Sequence, residues 1–204
     1  DILALLDEGH TGITSEAMIG LYTAGTHEYW RSRFSDGAIE HFQLGTDPVS
    51  GRPCYPLRDT GGELLGMVMR NLDRQPKYRY PTGIKVHHLL WNYTQDARKE
   101  VVLHEGAMDV IAAWEVGVES FGIFGSHLSV QQVEKLRRLS PRWVHLAFDN
   151  DEAGRRCTQQ ARALLEEDGF LVNELDWRSY PFHKDVADLS EQQRRNTLHR
   201  LLAV

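Results

Sequence analysis

Apolar and polar positions change rhythm twice along this chain of 204 residues. Through residue 45 the apolar positions recur at helical spacing, and Ala17, Met18, Ile19, Leu21 and Tyr22 form one stripe. Ser35-Asp36 predicts the N-cap of a short helix through Phe42 that closes near Gly45. Asp47-Pro48 and Ser50-Gly51 then mark turns. Cys54 to Leu57 and Leu64 to Met69 read as strands on either side of Asp59-Thr60-Gly61-Gly62, a hairpin signal. Residues 76–92 carry Pro, Tyr and Lys and read as loop-rich.

From about residue 98 short apolar runs alternate with helical patterns. Strands are predicted at Val101–His104, Phe121–Phe124, Trp143–Phe148 and Phe170–Leu175. Helices are predicted from Asp109 to Glu115, from a Ser129 cap through Leu139, and from Ala153 to Asp168, where Gly169 supplies a C-cap. Strands alternating with helices over short links imply an α/β fold with a parallel sheet flanked by helices. The expected division is 1–97, a smaller helical and mixed α+β part, and 98–204, the parallel-sheet domain with a short C-terminal helix.

Composition adds the polarity of the two halves. The net charge is −6, which argues against a general nucleic-acid coat protein. Between Arg52 and Lys85, however, seven basic residues (Arg52, Arg58, Arg70, Arg74, Lys77, Arg79, Lys85) face only Asp59, Glu63 and Asp73. That stretch is net +4, which leaves −10 for the rest. A basic segment followed by an acidic one suits an enzyme that handles a polyanion with metal ions. Cys54 and Cys157 lie far apart without a CxxC partner, so neither a disulfide framework nor a zinc site is expected; this fits a cytoplasmic setting, bacterial or viral in a host cell. His87-His88, His104 and His127 likewise lack zinc-ligand spacing. No membrane association is expected, because no apolar run reaches about 18 residues. The first residue is Asp, which points to an excised or processed fragment.

In an open parallel sheet, ligands bind outside the carboxyl ends of the strands. Two predicted strands end there in acids: Val101–His104 meets Glu105-Gly106, and Trp143–Phe148 meets Asp149-Asn150-Asp151. If these strands are neighbours, three carboxylates converge and need a cation, and hard oxygen donors suit Mg²⁺ or Mn²⁺. Asp-x-Asp after a strand also serves to cap the helix that follows, and that alternative stays open. An EF-hand is excluded: Ala153 and Gln160 occupy ligand positions of the loop, and a strand precedes it. A further acidic element, Lys184-Asp185-Val186-Ala187-Asp188, follows the fourth strand; it reads either as a turn before the helix near Ser190 or as added carboxylates at the same edge. There is no G-x-x-x-x-G-K-[ST], so the fragment carries no P-loop.

His104-Glu105-Gly106-Ala107-Met108-Asp109-Val110, then Gly125, then Phe148-Asp149-Asn150-Asp151-Glu152-Ala153-Gly154 resemble the TOPRIM domain shared by DnaG-type primases, topoisomerases and related nucleases. The resemblance covers roughly residues 30–190. It implies that Glu105, Asp149 and Asp151 hold divalent metals, with Glu105 in acid/base work, and that Asp109 supports the site from its helix. Lys184, Asp185 and Asp188 resemble a further acidic motif of primases, with Asp185 as a fourth ligand. Upstream, Pro56-Leu57-Arg58-Asp59, Gly66, Arg70, Pro76-Lys77-Tyr78 and Lys85 are similar to the basic subdomain of those primases, which implies template or nucleotide contacts for Arg58, Arg70, Lys77 and Lys85. Cations in that place are physically apt, since Arg forks onto phosphate oxygens. Ser32-Arg33-Phe34-Ser35 to Gly45 resembles the segment that precedes it, where an Arg-Gly pair is usual; here the arginines are Arg31 and Arg33. Tyr78 and Trp91 are aromatic side chains available to stack a base.

The resemblance therefore implies a primase core that makes short RNA primers on single-stranded DNA from ribonucleoside triphosphates. Its expected partners are the template, a replicative helicase and a separate zinc-binding module, which is missing from this sequence, as is a long helical tail. Two rivals stand beside it. A TOPRIM nuclease would use the same carboxylates to cleave, and a non-catalytic module binding single-stranded DNA or a helicase would not need them.

Overall fold

The computed structural model describes residues 16–203. The chain forms two compact units that divide between Lys85 and Val86. The part of the expected helical stretch before residue 16 lies outside the described residues.

The first unit opens with three short helices, α1 (Glu16–Thr23), α2 (Glu28–Arg31) and α3 (Asp36–His41). The helical stripe of α1 is narrower than expected: Ile19 and Tyr22 are buried, while Ala17 and Leu21 face solvent. Eight residues make about two turns, and Ile19 and Tyr22, three apart, share the face that reaches the core. Ser35 caps α3 as predicted, its Oγ accepting from the Ala38 amide at 3.3 Å. Four antiparallel strands follow in order along the sheet: β1 (Gly45–Thr46), β2 (Pro53–Arg58), β3 (Leu64–Arg70) and β4 (Tyr78–Arg79). The β2–β3 hairpin closes at Asp59, whose Oδ1 accepts from the Gly61 and Glu63 amides at 2.8 and 2.9 Å, and Gly62 supplies φ +85°. Trp30 is fully buried and donates from Nε1 to the Gly45 carbonyl at 2.8 Å. Gly45 permits that approach of chains, because a Cβ there would lie 2.1 Å from the Tyr22 carbonyl oxygen.

The second unit begins at Val86 and so includes residues that belong to the first part in the division at 97. Hydrogen bonding explains why. The Trp91 amide donates to the Gly122 carbonyl at 2.8 Å, and the carbonyls of His87 and Leu89 accept from Ser129 Oγ and Gln132 Nε2 at 2.6 and 2.7 Å. Four strands form a fully parallel sheet: β5 (Glu100–His104), β6 (Ser120–Gly122), β7 (Trp143–Leu146) and β8 (Leu171–Glu174), in the order β6-β5-β7-β8. The helices are α4 (Ala107–Trp114), α5 (Val130–Leu139), α6 (Glu152–Glu167) and α7 (Glu191–Leu201). Val101, Leu103, Val144 and Leu146 share a core with Leu136 of α5 and Cys157, Ala161 and Leu165 of α6. Alternate strand residues turn to the opposite face. There α4 meets α7, with Arg194 reaching the Ala112 carbonyl at 3.2 Å and Glu115 at 3.1 Å.

Two strands end sooner than their apolar runs. β6 stops at Gly122 because Phe124 and Gly125 turn the chain with φ values of +62° and +145°. β7 stops at Leu146, although Ala147 still donates to the Leu103 carbonyl at 2.9 Å. The pair β5 and β7 are direct neighbours at the centre of the sheet, so their carboxyl ends open side by side.

Candidate active site

Glu105 leaves the end of β5 and Asp149 leaves the end of β7. Their contact is direct: the Asp149 amide donates to Glu105 Oε1 at 3.1 Å. Asp149 is largely enclosed, and its Oδ2 lies 3.1 Å from Lys184 Nζ. Asp151 stands at the start of α6, where its Oδ1 accepts from the Gly154 amide at 2.9 Å and its Oδ2 lies 3.9 Å from Lys184 Nζ. The capping alternative for Asp151 is therefore realised, and the carboxylate still looks onto the same lysine as Asp149. Gly154 makes this loop possible, since a Cβ there would fall 2.0 Å from the Asp149 carbonyl oxygen.

The turn that carries Lys184 is held from below. Asp109, buried in the first turn of α4, accepts from the Ala187 amide on Oδ1 at 3.0 Å. Asp185 Oδ1 accepts from the Asp188 amide at 2.9 Å, and Asp188 Oδ2 accepts from the Lys184 amide at 3.2 Å. Ser190, not this turn, caps α7. Glu105, Asp109, Asp149, Asp151, Lys184, Asp185 and Asp188 are thus brought to one end of one sheet.

The acids raise one another. Burial, with Asp149 beside it, pushes the Glu105 carboxyl up to about 7. Burial lifts Asp109 well above the usual carboxylate range, and Asp185 and Asp149 add to the rise. Asp185 is raised in the same direction by burial, then by Asp188 and Asp149. Lys184 is raised in turn by its bond to Asp149. Such crowding is relieved by a cation, and the Lys184 ammonium supplies part of that charge. The donors are hard carboxylate oxygens, which suit a divalent ion of the Mg²⁺ type. Among the described residues no three His, Cys, Asp or Glu side chains stand ready-made around a metal position. The residues present fit a divalent ion by chemistry and charge, and Lys184 occupies the approach to Asp149 and Asp151.

This arrangement has counterparts. The Toprim-like family matches residues 102–190, which span both acid-bearing strand ends and the Lys184–Asp188 turn. That match falls within the second unit. DNA primase of Enterococcus faecalis is 35% identical over 133 residues, 57% of this chain and 21% of that protein. DNA primase of Halalkalibacterium halodurans is 29% identical over 172 residues, 79% of this chain and 28% of that protein. The chain thus spans well under a third of the length of these relatives. Among solved structures, the zinc-binding and RNA polymerase domains of Aquifex aeolicus primase superpose with a TM-score of 0.76 at 20% identity, over 96% of this chain and 60% of that one. A DnaG primase catalytic domain bound to single-stranded DNA gives 0.71 at 17% identity, over 98% of this chain and 79% of that one. In sequence and in fold the chain resembles DnaG-type primase catalytic cores. The predicted α/β architecture is borne out by that likeness and by the parallel sheet.

Sequence reasoning missed one residue of this site. Asn150 donates from Nδ2 to the carbonyls of Pro181 and His183 at 3.2 and 3.0 Å, and its amide donates to the Lys184 carbonyl. It ties the Asp149–Asp151 loop to the segment that delivers Lys184. Its only sequence signal is its place between the two aspartates.

The predicted phosphate-binding residues belong to the first unit, with Lys85 at its last residue. Arg70 lies over the rings of Tyr29 and Tyr78 at 4.8 and 5.2 Å and donates to the Tyr78 hydroxyl. Lys77 lies over Tyr78 at 5.7 Å, and Arg33 lies over Tyr29 at 4.1 Å. Arg33, rather than Arg31, therefore joins the group around Arg70. Arg58 is bound within the unit, paired with Glu16 and donating to Gln43 Oε1 at 2.8 Å and to the Gly62 carbonyl at 3.0 Å. Lys85 is exposed.

Proposed function

We propose that this chain is the nucleotide-joining core of a DNA primase, making short RNA primers on single-stranded DNA from ribonucleoside triphosphates. The observation that carries the reading is the direct apposition of Glu105 and Asp149 at neighbouring strand ends, in a fold like that of primase cores. Glu105, Asp149 and Asp151 would hold Mg²⁺ or Mn²⁺, with Asp185 as a further donor. Bound there, such an ion would supply charge neutralisation to phosphate oxygens.

The protein's own groups do the rest. Glu105, at the strand end beside Asp149, is the carboxylate placed to accept a proton from the attacking 3′ hydroxyl. Lys184 offers a cation to phosphate oxygens beside the acids, and Asp109 and Asp188 position its turn through backbone bonds. In the first unit, Arg70 and Lys77 bind template or triphosphate phosphates while their tyrosines hold them in place; Lys85 adds positive charge, and Arg58 serves phosphate only by exchanging its pairing with Glu16. A zinc-binding module and a replicative helicase are the protein partners this reading implies. No helix among the described residues is long and apolar enough to cross a membrane.

The test is synthesis itself. The full chain is incubated with single-stranded templates, labelled ribonucleotides and Mg²⁺ or Mn²⁺, with and without a separately supplied zinc-binding module. Short RNA products support the reading. Template cleavage without nucleotides favours a nuclease, and failure to make any RNA under all these conditions would sink it.

A further inference from the structure

Phe182 is 98% exposed, whereas the next most exposed large apolar side chain among the described residues, Leu72, is at 53%. Isolated surface apolar groups ordinarily need no explanation. This one differs in how its backbone is held. The carbonyls on either side of it, those of Pro181 and His183, both accept from the Asn150 side-chain amide at 3.2 and 3.0 Å. The Lys184 carbonyl accepts from the Asn150 amide, and the His183 amide closes a turn onto the Tyr180 carbonyl at 3.2 Å. The ring of Tyr180 meets that of His183 edge-on at 5.9 Å. Asn150 sits between Asp149 and Asp151, and two residues after Phe182 the Lys184 ammonium contacts Asp149. A fixed loop thus presents an unburied aromatic face at the end of the sheet that carries the acids.

We propose that Phe182 is a stacking platform for a nucleobase whose phosphates are handled at the Glu105–Asp149 edge. The inference rests on the phosphate-handling reading given above. A phenyl ring has no hydrogen-bonding group, so it cannot read base identity. It offers every base the same apolar face, as an enzyme copying an arbitrary template requires. The base belongs either to a polynucleotide strand or to a nucleoside triphosphate, and both share this chemistry.

The experiment uses the full chain with Phe182→Ala, Phe182→Leu and Phe182→Trp. One arm measures fluorescence anisotropy of a labelled mixed-sequence single-stranded oligodeoxynucleotide and of its abasic counterpart. The other measures calorimetric binding of GTP with Mg²⁺. Phe182→Ala and Phe182→Leu are expected to weaken one of these ligands by about five- to a hundredfold, with unchanged melting, while Phe182→Trp holds affinity. A loss confined to the oligonucleotide and erased on the abasic strand assigns the base to the strand; a loss confined to GTP assigns it to the triphosphate. Wild-type affinity in Phe182→Ala for both ligands overturns the proposal. So does full affinity in Phe182→Leu beside loss in Phe182→Ala, because a plain apolar contact then suffices. Binding of neither ligand by the wild type overturns it as well. RNA synthesis by the wild type with no effect of Phe182→Ala on binding removes the stacking role and keeps the primase. Stacking without any RNA product does the reverse.

Discussion

Two residues set the acid site most tightly, and both are open to direct test. Gly154 lies where any side chain would strike the Asp149 backbone, with a Cβ only 2.0 Å from the carbonyl oxygen. Backbone cannot yield as a flexible side chain does. Gly154→Ala is therefore expected to cost at least about 1–3 kcal/mol in urea unfolding and to abolish activity by displacing Asp149. Glu105 has its carboxyl lifted from 4.5 to about 7. The folded chain then holds more protons than the unfolded one between those values, so this group's contribution to stability falls as pH rises from about 4.5 to about 7. His104, pushed down to about 4 by burial, has the opposite slope over much of that range. The difference between Glu105→Gln and wild type isolates the first effect: the variant should gain stability relative to wild type as pH rises to 7 in metal-free buffer. A difference that stays flat with pH would contradict the raised carboxyl. The type and order of the acids were legible in the sequence. Asn150 was not, because an amide bonded to two distant carbonyls leaves no pattern along the chain.

At the scale of elements, caps and strand ends decide where side chains point. The Ser129 cap of α5 was legible as a serine before an amphipathic run, and the capping box with Gln132 is formed. What Gln132 does beyond the helix was not legible. It is fully buried, and its Nε2 donates to the carbonyls of Leu89 and Ile123 at 2.7 and 2.8 Å. The bond to Leu89, with those of Ser129 to His87 and of Trp91 to Gly122, draws residues 86–91 into the second unit. Ser129→Ala is expected to cost about 1–2 kcal/mol, since it removes the cap and also the Oγ donor to the His87 carbonyl. Gln132→Leu should cost more, because it strands two buried carbonyls at about 1–3 kcal/mol each. Chemical denaturation measures both, and equal costs would contradict the bridging role. The ends of β6 and β7 were misplaced for a related reason. Apolar residues continue past the ladder as core, and sequence periodicity does not separate a strand residue from a buried residue just beyond the strand such as Ile123 or Phe148.

At the scale of the molecule, the alternation of strands and helices after residue 98 was enough to give the parallel sheet. The strand order β6-β5-β7-β8, which makes the two acid-bearing strands neighbours, comes only from the structure. The basic half was legible as a charge imbalance. Its organisation around Tyr29 and Tyr78 was not, because aromatic–cation contacts join residues from separate elements. If carboxylates at neighbouring strand ends run nucleotidyl transfer, removing one charge at Asp149 removes the chemistry and spares the fold. The most direct measurement is incorporation of labelled ribonucleotides on a single-stranded template, with Mg²⁺ or Mn²⁺ and a supplied zinc-binding module, by the wild type and by Asp149→Asn at matched melting temperatures. The account predicts short RNA from the wild type and a loss of at least about a hundredfold in the variant. Equal incorporation by the two proteins, or none by the wild type, would contradict it.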